Sequence, residues 1–124
     1  VAQVLVLDED TDSRILLKRL LELGGHSVVS VSDQGQAIEA ARSGNPDLVI
    51  IHLKAGSRWS RRLPALLKAG NERLKVMTIA DYVPDQIADT ALGDDFLAKP
   101  VDLETIESKV RELLGRTNTE RSAG

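Results

Sequence analysis

The 124-residue chain contains no cysteine. That excludes a disulfide scaffold, a thiolate metal site and a cysteine nucleophile, and it suits a reducing compartment such as the cytoplasm. Aromatic residues make up only 2%, namely Trp59, Tyr82 and Phe96. Such scarcity argues against a surface that stacks on single-stranded nucleic acid. Charge of one sign is also short: the net value is −3 and the pI is near 5.4. No strong global attraction to nucleic acid or to an anionic membrane follows. No apolar run approaches the roughly 18 residues needed to span a bilayer, and no basic-then-apolar leader precedes the first strand-like segment. The phosphate-binding patterns Gly-x-x-x-x-Gly-Lys and Gly-x-Gly-x-x-Gly are missing, as is the Gly-x-Ser-x-Gly elbow of hydrolases. His26 and His52 are the only histidines. They lie far apart in sequence, which gives no support to a two-histidine metal site.

What is present is an ordinary globular composition, 42% hydrophobic and 28% charged. The length matches one domain with a real core. Val4-Leu5-Val6-Leu7 is a short continuous apolar run stopped by Asp8-Glu9-Asp10, the pattern of a strand buried on both faces. Asp12 is placed to cap the next helix, with Ile15, Leu16, Leu20 and Leu23 as its apolar stripe and Gly24-Gly25 as its stop. Val28, Val29 and Val31 form a second strand. Ser32 and Asp33 open a helix that turns Ala37, Ile38 and Ala41 inward and closes at Gly44. After the Asn45-Pro46 turn, Leu48-Val49-Ile50-Ile51 is a third strand. Trp59, Leu63, Leu66 and Leu67 recur at helical spacing up to Gly70. Leu74 to Ile79 is a fourth strand. Pro84 sits early in a short helix carrying Ile87, Ala88 and Ala91. Phe96-Leu97 begins a brief fifth strand, and Leu103, Ile106, Val110 and Leu113 line a last helix.

Strand and helix therefore alternate five times. With doubly buried strands, this predicts an α/β fold in which a parallel sheet is covered on both sides, a three-layer sandwich. Residues 1–115 are expected to form the domain and residues 116–124 a polar linker or tail. The start at Val1 and the polar end lead us to expect a domain cut from a longer protein.

In open doubly wound sheets, sites lie outside the carboxyl ends of the strands. The first strand ends in Asp8-Glu9-Asp10, the third in His52, the fourth in Ala80-Asp81 and the fifth in Lys99-Pro100. Neighbouring acids repel each other and call for a cation, and hard oxygen ligands suit Mg²⁺. The alternative is that they simply cap the helix that follows.

Together these strand ends resemble the receiver domain of two-component response regulators, the CheY-like family. The resemblance covers residues 3 to about 114 and is carried by three segments in order. These are Val4-Leu5-Val6-Leu7-Asp8-Glu9-Asp10, Pro46-Asp47-Leu48-Val49-Ile50-Ile51 and Gly93-Asp94-Asp95-Phe96-Leu97-Ala98-Lys99-Pro100-Val101-Asp102-Leu103. It implies a flavodoxin-like (βα)5 fold with strand order 2-1-3-4-5. It also implies a chemistry in which an aspartate ending the third strand takes a phosphoryl group from a phosphohistidine of a partner kinase. Mg²⁺ held by an acidic pair neutralises that group, and a lysine and a Ser/Thr hydroxyl bind its oxygens.

Asp8 and Glu9 fall on the acidic pair, Lys99 on the phosphate-binding lysine and Phe96 on the switch aromatic. The chain departs elsewhere. His52 stands where the family has the phospho-acceptor aspartate, and Ala80 stands where it has Thr or Ser. Gly56 and Ser60 replace a usual proline and glycine, and the stretch from Ala80 to Lys99 is shorter by roughly a turn of helix. Phosphoryl transfer depends on positioning and charge neutralisation. Without the carboxylate there is no acyl-phosphate acceptor, and imidazole replaces it poorly as a ligand for Mg²⁺. Without a hydroxyl at Ala80 the usual switch has nothing to pull inward. The expectation is a degenerate receiver, or pseudo-receiver. It has no catalytic residue and no cofactor beyond weak Mg²⁺ at Asp8 and Glu9, and it is not an enzyme.

Several alternatives stay open. His52 could itself carry phosphate, or phosphoryl transfer could reach another residue. Asp8 or Glu9 could pair with a protonated His52 and make the pocket sensitive to pH. Asp81 could supply a replacement carboxylate, and Lys99 could be held by Asp8 or Glu9. An enzyme using His52, Asp8, Glu9 and Lys99 with a metal is a further rival, although no distinct nucleophile can be read. Charge is uneven: residues 58–75 carry Arg58, Arg61, Arg62, Lys68, Arg73 and Lys75 against Glu72 alone. Residues 81–107 carry Asp81, Asp85, Asp89, Asp94, Asp95, Asp102, Glu104 and Glu107 against Lys99 alone. The expected partner is a protein, a histidine kinase or an output domain, docking on the fourth helix, fifth strand and fifth helix. Homodimerisation is the alternative. No direct contact with nucleic acid or membrane is expected, and a cytoplasmic, bacterial signalling role fits.

Overall fold

Five parallel strands lie side by side in the order β2-β1-β3-β4-β5. The computed structural model describes residues 2–53, 63–69, 71, 73–80, 95–98 and 103–123. The elements are β1 (Gln3–Asp8), α1 (Thr11–Leu23), β2 (Ser27–Val31), α2 (Gln34–Gly44), β3 (Leu48–Leu53), α3 (Leu63–Lys68), β4 (Lys75–Ala80), β5 (Asp95–Ala98) and α4 (Leu103–Ala123). The fold class and strand order expected from the sequence are those observed. The expected helix over residues 84–91 and the Trp59 end of the third helix lie outside the described residues.

Why the central strands are apolar throughout is plain from the packing. Successive side chains alternate between faces, so Val4, Val6, Leu48, Ile50, Met77 and Ile79 enter one core, where α1 and α4 cover the sheet. Leu5, Leu7, Val49, Ile51 and Val76 enter the other, under α2 and α3. Each such side chain contributes about 1.5–3 kcal/mol when buried. A polar residue inside either run would have no water to face on either side.

Helix α1 packs differently from the sequence expectation. Leu17, Leu20 and Leu21 are its buried line, whereas Ile15, Leu16 and Leu23 are 50%, 58% and 86% exposed. Leucines crowd the helix, so more than one stripe at helical spacing can be drawn. The spacing of 17, 20 and 21 is the one that meets the sheet. The cap also moves. Asp10, not Asp12, is the N-cap, its side chain accepting from the Ser13 amide at 2.9 Å. Asp12 falls in the first turn, where its charge faces the positive end of the helix dipole. At α2 the expected start holds. Asp33 Oδ1 accepts from the Gln36 amide at 2.8 Å, and Gln36 Oε1 accepts from the Ser32 amide at 3.1 Å, a reciprocal cap. Asn45 follows in the left-handed region at φ 49°, a conformation asparagine adopts readily. The last helix continues through Ala123, so the segment expected as a polar tail is helical up to that residue. Among the described residues no helix is long and apolar enough to cross a membrane.

Candidate functional site

The register between β1 and β3 sets Asp8 directly beside His52. Both are the final members of series that face α1 and α4: Val4, Val6, Asp8 on one strand and Leu48, Ile50, His52 on the other. On its other side His52 is paired with Ile79 of β4. An acid and an imidazole thus sit at the carboxyl end of the sheet, 0% and 2% exposed respectively.

They bond to each other. His52 Nδ1 lies 2.9 Å from Asp8 Oδ2. A carboxylate accepts and does not donate, so the contact is satisfied when Nδ1 carries a proton and donates it. The second oxygen, Asp8 Oδ1, accepts from the Asp10 amide at 2.9 Å. Both carboxylate oxygens are therefore engaged inside the chain. Arg14, one turn into α1, donates from Nη1 to the main-chain carbonyl of Asp8 at 2.9 Å. The first turn of the helix is tied in this way to the strand end it follows.

Of the residues predicted for the site, Asp8 and His52 are brought together, and of the two acids proposed as the partner of His52 it is Asp8 that makes the bond. Glu9 directly follows β1 and is exposed. Ala80 is the last residue of β4, paired with Leu53 and Ala98, and Phe96 lies on β5 opposite Thr78. Lys99 and Asp81 lie outside the described residues. Sequence reasoning missed Arg14 and assigned the cap to the wrong aspartate. The signal for Arg14 was its position: the first turn of a helix leaving a strand end stays within reach of that end. Among the described residues no group of three or more histidines and acids is placed to hold a metal ion.

A five-stranded parallel sheet in this order, with an acidic pair at the end of β1, defines a class, and comparison with known proteins agrees. The chain belongs to the response regulator receiver domain family, whose pattern it matches over residues 4–111. It is similar to the response regulator MprA of Mycolicibacterium vanbaalenii, 31% identical over 125 residues, covering 98% of this chain and 54% of that protein. The chain thus spans about half the length of the curated relatives it matches. Among solved structures it resembles a two-component response regulator from Clostridium difficile, with TM-score 0.84 and 26% identity over 95% of this chain and 99% of the other. A CheY-like receiver domain from Methanospirillum hungatei superposes with TM-score 0.87 at 20% identity, covering 97% and 98% of the two chains. The protein is a receiver domain of the two-component response regulator type.

Proposed function

We propose that this receiver does not work through an aspartyl phosphate at the end of β3, and that it serves as a phosphorylation-independent protein-interaction module. The carrying observation is the buried contact between Asp8 and His52. The family's chemistry needs an acceptor carboxylate at position 52 and a Mg²⁺ ion held by carboxylates around it. Position 52 offers an imidazole, which makes no acyl phosphate and is a poor ligand for so hard an ion.

The residues present do not fit that ion. Both oxygens of Asp8 are committed, one to Asp10 and one to His52. A cation on Asp8 would have to share a carboxylate whose two oxygens already accept from Asp10 and His52, and it would face an imidazole where a third carboxylate is needed. Glu9, the other acid of the pair, is exposed. Ala80 gives a phosphoryl group no hydroxyl to bind, so the usual inward pull of the switch has no donor. Position 52 has no carboxylate to form an acyl phosphate, and this supports a signalling module over an enzyme.

What remains is a rigid sheet with exposed helices, suited to docking. The partner is a kinase or an output domain in a cytoplasmic signalling pathway. The first surface to test is the one made by β5 and α4 together with residues 84–91, which are expected to be helical from the sequence and lie outside the described residues.

The deciding experiment is intact-mass measurement after treatment with Mg²⁺ and a small phosphodonor. We expect no adduct. A stoichiometric phosphoryl adduct overturns the reading, and peptide mapping would then tell His52 from another acceptor.

A further inference from the structure

The edge strand β2 has an outer side that is open over a short, defined length. Its one ladder among the described residues is the parallel one with β1, unbroken from Ser27 to Val31. Main-chain groups alternate in direction along a strand. The Ser27 amide donates to the Ala2 carbonyl at 2.8 Å, on the β1 side. Val28 and Ser30 therefore turn their N–H and C=O groups outward. The same outward series is closed at both ends within the chain. The His26 amide donates to the Leu21 carbonyl at 3.2 Å, and the Ser32 amide donates to Gln36 Oε1 at 3.1 Å. Between them, the amides and carbonyls of Val28 and Ser30 meet no partner among the described residues.

Edge strands are commonly guarded by lysine, proline or a bulge. The β2 segment Ser-Val-Val-Ser-Val has none of these. Val29 is 55% exposed. It is paired with Leu5, so it lies on the face of the sheet that α2 covers. There it lines a groove of about 190 Å³. Ala40, Ser43 and Gly44 line the groove from α2, small residues that leave room for a side chain. The Ser43 hydroxyl donates to the Glu39 carbonyl at 2.9 Å, so this wall calls for an apolar group. The open main-chain row selects an extended chain, and the groove selects an aliphatic side chain on it. A second copy pairing through this edge would set Val29 against Val29, and valine is too short to enter the groove.

We propose that β2 takes an extended, uncharged segment of a partner protein as a sixth strand, antiparallel to it. Antiparallel pairing lets two residues of that segment make all the open bonds, one with Val28 and one with Ser30. The residue between them stands opposite Val29, in the kind of pair where side chains approach most closely. A leucine there enters the groove beside Ala40 and Gly44. β2 and β5 are opposite edges of the sheet. The site is therefore separate from the surface at β5 and α4, and each can fail without the other.

The test is ¹H–¹⁵N NMR of the full chain titrated with the capped pentapeptide acetyl-Thr-Thr-Leu-Thr-Thr-amide. Concentrations up to about 5 mM are needed, because one short strand binds weakly. The Val28 and Ser30 amides should shift most, with half-saturation at about 1 mM. Methylating the main-chain nitrogens of the threonines that flank the leucine should abolish binding, since it removes the donors to the Val28 and Ser30 carbonyls. Replacing the leucine by serine should weaken binding about fivefold or more. Gly44→Met should weaken it to the same degree by filling the groove. A Cβ at Gly44 meets no atom within 4 Å, so the fold should survive, which far-UV circular dichroism checks. Absence of shifts at Val28 and Ser30 overturns the proposal. So does binding indifferent to the methylation, to the serine exchange or to Gly44→Met. Shifts of the same amides on raising the protein concentration alone would give the edge to a second copy, and that also overturns it.

Discussion

Replacing His52 by aspartate asks the structure directly what the imidazole is doing. Asp8 is fully buried, and its Oδ2 lies 2.9 Å from the ring nitrogen. A carboxylate placed at position 52 is shorter than imidazole, so the two charges would lie about 4–5 Å apart. At an effective dielectric of about 20, two like charges at that distance repel by roughly 3–4 kcal/mol. Protonation of one carboxylate relieves part of this, leaving an expected loss of about 2–4 kcal/mol of stability at neutral pH. The same change rebuilds a cluster of carboxylates that a divalent cation can bridge. Mg²⁺ at a hundred times its dissociation constant would return about 2.7 kcal/mol. The assay is urea denaturation of the wild type and of His52→Asp, each with Mg²⁺ and with chelator. The variant should be less stable than the wild type in chelator and should gain stability with Mg²⁺, while the wild type should not respond. Adding Ala80→Thr to the variant should preserve the gain. A wild type that Mg²⁺ stabilises as strongly as the variant would refute the argument that the Asp8–His52 bond excludes the ion. So would a variant whose stability is unchanged in chelator.

Other expectations concern local chemistry and packing. Long-range ¹H–¹⁵N NMR should find a proton on Nδ1 of His52, the nitrogen facing Asp8. A ring protonated on Nε2 alone would contradict the donor assignment. Leu21→Ala should cost about 2–5 kcal/mol of stability and Leu23→Ala less than about 0.5, measured at dilute protein concentration. The reverse order would mean that the helix presents the stripe drawn from its sequence.

The comparison of sequence with structure divides along a physical line. Val4–Leu7 and Leu48–Ile51 announced themselves because a strand buried on both faces must be apolar at every position. Asp33 announced the start of α2 because capping is local, fixed within three residues. Helix α1 misled because Leu16, Leu17, Leu20, Leu21 and Leu23 satisfy more than one line of helical spacing, and only the sheet beneath selects among them. Asp10 and Asp12 are equally good caps by composition. The backbone leaving β1 decides between them. At the site, the departures at His52 and Ala80 were visible only through the resemblance that placed them at strand ends. The bond between His52 and Asp8 was open to inference only as one pairing among alternatives. Its partner is 44 residues away, and what makes it is the register of two parallel strands. Arg14 escaped notice for a related reason: its partner is a main-chain carbonyl, which no side-chain pattern advertises.

That separation of 44 residues also bears on the order of events in folding. Between Asp8 and His52 the chain lays down α1, β2 and α2. The two side chains meet only once β1 and β3 lie in register, so the entropy of closing the loop is spent before their bond is made. On this order the pair tightens a register that the two strands have already adopted. A change at either residue should appear in the unfolding limb of a chevron plot and leave the folding limb nearly untouched. Removing the pair would shorten the lifetime of the native state without slowing its formation.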